Sequence, residues 1–220
     1  MKGAYSTRLQ PNTCEREGDI TGAGVGVSVA MARRDGMAPT TTTRTVRLEE
    51  EVDGALHALA AEEGVSVNFL VNRALRKLVE WDSYAERFGV VSLPGAQVER
   101  MMDYLSEEQA RELGEWVGRN LVKEFLTFWF KDVSARTLLQ SYPRLSSQYG
   151  RLFEYQERAE GGRWTIVLKH GRGRKWSQYY EALLAGMFRE ILGLEPALES
   201  TDGQVVARFD LSRVGGPGAP

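Results

Sequence analysis

The densest cluster of basic side chains lies in a loop that precedes a predicted helix. The loop runs from Lys169 to Lys175, and residues 151–175 carry seven basic and three acidic side chains. A glycine-rich basic loop at a helix N-terminus suits an anion. We therefore predict an anion or ligand loop formed by Arg172, Arg174 and Lys175. The alternative is a solvated turn, which a loop of this kind more often is.

Residue types that support metal or covalent chemistry are scarce. The chain has one cysteine, Cys14, and two histidines, His57 and His170, which are far apart in the sequence. There is no cysteine-rich zinc set, nucleophile–base pair or carboxylate pair, and the glycine run 22–26 lacks the spacing of a dinucleotide-binding loop. The sequence therefore predicts no catalytic residue, no metal and no cofactor, and a protein that is not an enzyme.

Composition limits the class of protein further. The 220 residues include 28 Lys and Arg against 30 Asp and Glu, a net charge of −2, so nucleic-acid binding would need a local basic patch. No apolar run approaches the roughly 20 residues of a membrane span, so we expect no membrane partner and a cytoplasmic location. The composition of 1–40 and 213–220 predicts disordered tails. Met31 and Met37 come just before the first ordered pattern, so the natural start is Met1, Met31 or Met37.

The first ordered pattern, Thr-Arg-Thr-Val-Arg-Leu, alternates as a β-strand does. Val46 and Leu48 fall on one face, and Thr43, Thr45 and Arg47 fall on the other. A strand of six residues is not stable alone, so it needs a partner strand.

Two predicted helices follow this strand at once. Acidic residues at 49–51 open the first helix at its positive end, and Gly64 ends it. Ser66 is a good N-cap for the second helix, which extends to about Trp81 and has an apolar face.

These features together make residues 41–81 resemble the ribbon–helix–helix repressors of the Arc, MetJ and CopG type. The strand ends in Thr-Val-Arg-Leu directly before an acidic helix start. The turn 63–68, Glu-Gly-Val-Ser-Val-Asn, is similar to the family's Gly-x-Ser-x-Asn turn, and both helices have the family's apolar spacing. The resemblance implies an obligate homodimer whose two strands pair as an antiparallel ribbon, and that ribbon enters the major groove of double-stranded DNA.

The resemblance also implies which residues contact DNA. Outward side chains of the ribbon reach base edges, and these are Thr43, Thr45 and Arg47. Free backbone N–H groups at the start of the second helix suit a phosphate, and these belong to Ser66, Val67 and Asn68. One feature opposes DNA binding, since 41–81 has five basic and seven acidic residues. Affinity would then depend on the cations nearest the phosphates: Arg44, Arg47, Arg73, Arg76 and Lys77.

The patterns after Trp81 predict an α+β domain over 82–212. Residues 81–87 continue the second helix as a connector, 88–93 form a strand, and Pro94 starts a helix. A capping box at Ser106 opens a long helix over 107–131, and a short helix from Ser134 ends near Pro143. The order then becomes β-β-α-β-β, with segments at 152–157, 164–170, 176–192, 195–200 and 204–211. We expect one aromatic set to lie in the core, with a ligand pocket as the alternative: Trp116, Phe125, Phe128, Trp129, Tyr179 and Tyr180.

In topology this second domain resembles the superfamily of haem–nitric-oxide-binding and vinyl-reductase-type small-ligand domains. The similarity lies in Tyr142-Pro143, the Gly161-Gly162 hairpin, the glycine-rich loop after His170, the helix and the final hairpin. The early-helix histidine and the cysteine set of those domains are absent, so neither haem nor zinc is expected. The resemblance implies a role in ligand sensing or dimerisation.

The sequence therefore predicts a dimeric, sequence-specific transcriptional regulator of the repressor type. The alternative is the antitoxin of a toxin–antitoxin pair, which uses the same DNA-binding module. Antitoxin tails are often disordered, whereas this C-terminal part has the aromatic residues to fold, so the regulator is favoured.

Overall fold

The computed structural model describes residues 41–213, which form an α+β structure. The eight α-helices of these residues are α1 Glu50–Glu63, α2 Val67–Lys77, α3 Ser83–Phe88, α4 Gly95–Asp103, α5 Glu107–Trp116, α6 Val122–Phe130, α7 Tyr142–Leu145 and α8 Arg174–Leu192. π-helical turns lie at Leu78–Asp82, Val117–Leu121, Thr137–Ser141 and Ser146–Gly150. The strands are β1 Glu154–Glu160, β2 Arg163–Lys169, β3 Ala197–Thr201 and β4 Gln204–Asp210. The tails predicted over 1–40 and 213–220 lie outside the described residues, except Arg213, which ends a short 3-10 turn.

Helices α1 and α2 form a hairpin where the sequence predicts two helices. Gly64 ends α1 in the left-handed conformation, at φ 66°, and its N–H donates to the Ala60 carbonyl. Ser66 begins α2, and its hydroxyl oxygen accepts the Phe69 N–H at 3.1 Å. Local chemistry at two residues therefore sets the turn between these helices.

Helix α2 continues without a break through the π-helical turn at 78–82 into α3, as the connector prediction required. We call this continuous helix, 67–88, the connector. The strand predicted over 88–93 is wrong. Gly89 leaves the helix at φ 83°, residues 89–94 have no regular structure, and the Val90 N–H donates back to the Ala85 carbonyl. No strand of residues 41–213 pairs with this apolar run, so its β-propensity is not realised.

The long helix predicted over 107–131 is present as α5, a π-helical turn and α6. Ser106 and Gln109 form its capping box. A stripe of small residues lets this helix approach α8 closely, because a Cβ added to Gly114 would lie 2.1 Å from the Tyr179 carbonyl oxygen. A Cβ at Gly118 would lie 2.3 Å from the Leu183 carbonyl oxygen. This close backbone contact fixes the crossing of α8 with the long helix over 107–130.

The helix predicted to end near Pro143 continues to Gly150 instead. Pro143 occupies the first turn of α7, directly after a π-helical turn. Proline is tolerated in a first turn, and the wider π turn before it leaves room for the ring. Arg151, at φ 55°, ends this segment in the left-handed conformation.

The sheet confirms the predicted β-β-α-β-β order. All neighbours are antiparallel, in the order β1-β2-β4-β3, and Gly161-Gly162 turns β1 into β2. One face packs on α8 through buried residues that alternate along the two central strands: Ile166, Leu168, Val205, Ala207 and Phe209. Period-two burial on one face explains why the sequence predicted these strands well.

A second, aromatic cluster joins the connector to α6. Its buried members are Ala85, Phe125 and Trp129, and Trp81, Tyr84, Phe88 and Phe128 pack around them. The Phe125 and Trp129 rings stack with centroids 4.1 Å apart. The core assignment is therefore confirmed for Phe125 and Trp129 but wrong for Trp116, which is 56% exposed because the small-residue stripe of α5, not this side, faces α8.

Candidate nucleic-acid interface and ligand loop

The residues predicted to read DNA bases lie in an exposed stretch ahead of α1. Thr43, Thr45 and Arg47 are exposed, and residues 41–49 have no regular secondary structure within the single chain. The predicted ribbon takes its second strand from another copy of the chain, so the strand stays a prediction. Val46 and Leu48, assigned to the opposite face, are 65% and 44% exposed. Within residues 41–213, nothing therefore covers the side chains predicted to face inward.

The residues predicted to hold a phosphate lie together at the start of α2. Ser66 acts as the N-cap, and the first backbone bond of the helix runs from the Leu70 N–H to the Ser66 carbonyl, at 3.2 Å. The N–H groups of Val67 and Asn68 precede that bond and point out of the helix end. The Asn68 side-chain oxygen already accepts from Asn72 Nδ2 at 3.1 Å. The backbone N–H of Asn68 is therefore the group that could donate to a phosphate.

Most of the cations that could meet phosphates are paired within the chain. Arg73 makes a two-pronged contact with Glu63, with N–O distances of 2.7 and 2.9 Å, and this contact lowers the pKa of the Glu63 carboxyl. Arg76 lies 3.7 Å from Glu80. Lys77 lies 2.5 Å from Asp82. Arg44 and Arg47 have no such partner among residues 41–213, so they are the cations that remain available to DNA.

Apolar side chains of residues 41–81 are exposed in unusual number. In α1 and the connector, Val52, Leu59, Phe69, Leu75, Leu78 and Val79 are each 38% to 53% exposed. Only Ala60 and Leu70 of this segment are buried. Many exposed apolar side chains on two packed helices are typical of an interaction surface.

Internal contacts occupy the three residues of the predicted anion loop. Arg172 donates to Glu99 Oε1 at 3.0 Å and to the Leu152 carbonyl at 2.6 Å, and its guanidinium lies over the Trp176 ring. Lys175 Nζ donates to the Asp103 carbonyl at 2.8 Å. Arg174 Nε lies 3.9 Å from Glu107. These contacts tie the loop to α4 and α5 and give its cations partners within the chain, and the anion or ligand loop stays a prediction.

The fold brings together a histidine and a serine that sequence reasoning missed. His170 is buried, and its Nδ1 accepts the Arg172 N–H at 3.1 Å, so the ring proton of the neutral form lies on Nε2. Nε2 is 3.2 Å from the Ser177 hydroxyl, which itself donates to the Thr201 carbonyl at 2.5 Å. Burial, and then the Arg172 charge, lower the pKa of His170. The hydroxyl proton therefore points away from the imidazole, and the pair ties the loop to the β3–β4 hairpin instead of activating a nucleophile.

Neither a metal site nor a membrane-spanning helix is found within residues 41–213. No group of three or more His, Cys, Asp or Glu side chains there could hold a metal ion. No helix in this range has the length and apolar character needed to traverse a bilayer.

The chain matches no protein-family model, and a search of curated proteins returns no match. Its function must therefore be argued from its own residues.

Proposed function

We propose that the protein is a dimeric, sequence-specific DNA-binding regulator whose 41–81 segment is a ribbon–helix–helix reader. The observation that carries the proposal is the exposed apolar surface of α1, the connector and the stretch before them. Val46 and Leu48 need a partner, and two strands pairing around a two-fold axis would bury both copies at once. The exposed Thr43, Thr45 and Arg47 would then face away from the dimer.

The distribution of ion pairs supports base reading over general phosphate attraction. The segment has five basic and seven acidic residues, and three of the five cations are already paired. General electrostatic attraction to DNA is therefore weak. Arg47, on the outward face, can form two parallel hydrogen bonds to a guanine edge, and such a contact discriminates between bases.

The C-terminal region favours a regulator over an antitoxin. Residues 82–212 pack into a core with a four-stranded antiparallel sheet. The connector also joins this region to the reader directly. Trp129 Nε1 donates to the Glu80 carbonyl at 3.0 Å, and the Tyr149 hydroxyl donates to the Glu80 carboxylate at 2.8 Å. An event in the C-terminal region can thus reach the reader through one helix.

The test selects a preferred duplex from a random DNA pool with the full-length protein and then compares Arg47→Ala with Arg44→Ala. Arg47→Ala should weaken binding to the selected duplex by about 1–3 kcal/mol per half-site. It should weaken binding to random DNA at the same salt much less. Arg44 lies on the opposite face of the predicted strand from Arg47. Arg44→Ala should therefore lower the affinities for the selected duplex and for random DNA alike.

Two results would contradict the proposal. One is a pool that yields no preferred duplex. The other is an Arg47→Ala variant that loses specific and random binding in equal measure, which would make Arg47 a phosphate contact. Thermal melting of Arg47→Ala should match the wild type, because an outward side chain contributes little packing.

A further inference from the structure

A groove of about 770 Å³ opens where the last turn of the connector meets α6. Phe88 and Phe128 supply its apolar wall, with ring centroids 5.4 Å apart, and both rings are only partly buried. Phe88 is the last residue of the connector. The groove therefore lies against the helix that carries the proposed DNA reader.

The groove is positively charged. Four cations line it, Arg87, Arg119, Lys123 and Lys131, against two carboxylates, Glu124 and Glu190. Two of the cations already have partners. Lys123 Nζ lies 3.0 Å from Glu190, and Arg119 lies 3.2 Å from Glu115 on the neighbouring turn.

Arg87 and Lys131 have no carboxylate partner among residues 41–213. Both stand over the Phe128 ring, at 5.7 and 5.1 Å from its centroid. Lys131 ends α6 in the left-handed conformation, at φ 54°, where glycine would be less strained. The two charges without a carboxylate partner thus lie at the same aromatic ring.

We propose that this groove binds a small aromatic carboxylate, with its ring against Phe88 and Phe128 and its carboxylate at Arg87 and Lys131. An aromatic body can pack against the parts of the Phe88 and Phe128 rings that remain accessible, and an anion complements the two cations that lack a carboxylate partner. Only the effect of binding, and not the binding itself, rests on the proposed function. An occupant beside Phe88 would shift the connector, and with it the reader, so this site would serve as the regulator's effector site.

The experiment titrates the full-length protein with 2-naphthoate by calorimetry, in the absence of DNA. The neutral 2-naphthamide, of nearly the same shape, is the matched ligand control. Naphthoate should bind, and naphthamide should bind at least tenfold more weakly, since a charged hydrogen bond is worth about that factor. Equal binding of the two ligands would overturn the proposal.

Two variants remove the charges while they preserve the fold. Arg87→Met keeps the apolar stem, and Lys131→Gly relieves the left-handed backbone. Each should weaken naphthoate binding about tenfold. Arg174→Met removes a cation of the basic loop and should leave the affinity unchanged. Loss of binding in Arg174→Met with none in the other two would place the anion at the loop and refute the groove.

The DNA experiment is separate, so the two proposals can fail independently. If naphthoate binds as expected but no DNA duplex is preferred, the groove stands and the regulator does not. If DNA is bound specifically but naphthoate binding is unchanged in the Arg87 and Lys131 variants, the regulator stands and the groove does not.

Discussion

The two regions of this chain differ in how they bury their apolar residues. Residues 82–212 bury most of theirs within one chain, around α8 and the sheet and in the aromatic cluster at α6. Residues 41–81 bury only Ala60 and Leu70 and leave exposed large apolar side chains on α1 and on the connector as far as Val79. An apolar pattern therefore predicts burial, but it does not show whether the residues that cover it come from the same chain or from another chain. We expect the hydrophobic core of residues 82–212 to be complete within one chain and that of residues 41–81 to need two chains.

The largest expected effect is on the assembly of the N-terminal region. Leu75→Asp should dissociate the proposed dimer, because Leu75 is 53% exposed in the single chain and would be buried in the dimer. The loss should be about 2 kcal/mol per chain, the worth of a buried leucine. Sedimentation velocity measures the change.

The matched control for that variant is Leu113→Asp. Leu113 is 41% exposed on α5, in the region that we expect to be complete within one chain. It should leave the oligomeric state unchanged. A Leu75→Asp protein that stays dimeric, or a Leu113→Asp protein that becomes monomeric, would reverse the comparison.

The next effect concerns glycines that occupy helices in both regions. Gly114→Ala should destabilise the C-terminal region by about 1–3 kcal/mol, because the new methyl meets the Tyr179 carbonyl in the α5–α8 crossing. Gly54→Ala in α1 meets nothing within 4 Å and should stabilise its helix by about 0.5–1 kcal/mol. Urea unfolding followed by circular dichroism gives both values. A Gly114→Ala protein as stable as wild type would show that the two helices can separate at little cost.

Two serine caps provide a smaller, sharper comparison. Ser66→Ala and Ser106→Ala each remove an N-cap worth about 0.5–2 kcal/mol to its helix. Only Ser66 lies at the proposed phosphate contact, so only Ser66→Ala should weaken DNA binding, and it should do so for all sequences alike. Gel shifts on specific and random duplexes check this. Changed base preference in Ser66→Ala would contradict the phosphate assignment.

The smallest effect is a pH dependence that belongs to the C-terminal region alone. Burial and Arg172 hold the pKa of His170 below its ordinary value of 6.5. The unfolded chain then binds the proton more tightly, so this contribution to stability is present above pH 6.5 and is lost as the pH falls below that value. His170→Gln should flatten the melting temperature between pH 7.5 and 5. An equally steep loss in the variant would assign the pH dependence to other groups.

Local signals in the sequence determined most of the secondary structure. Ser66, Gly64, Ser106 and the Gly161-Gly162 turn act on their immediate neighbours, and the structure has each where its chemistry predicts it. The β-β-α-β-β order followed from period-two burial and from turn residues, which do not depend on distant contacts.

Tertiary structure decided what local patterns left open. The run 88–93 had strand-forming residues but no neighbouring strand, and Trp116 had core character but lies beside the small-residue stripe that faces α8. Arg172 had the character of an anion-loop residue, yet Glu99 and the Leu152 carbonyl, both distant in sequence, take its donors. The meeting of Arg87 with Lys131 at one phenylalanine likewise depends on the connector folding back onto α6. The sequence by itself determined the capped helices, the turns and the order of strands, because these are set within a few residues. Only the fold decided which faces and charges found partners, because those partners come from elsewhere in the chain.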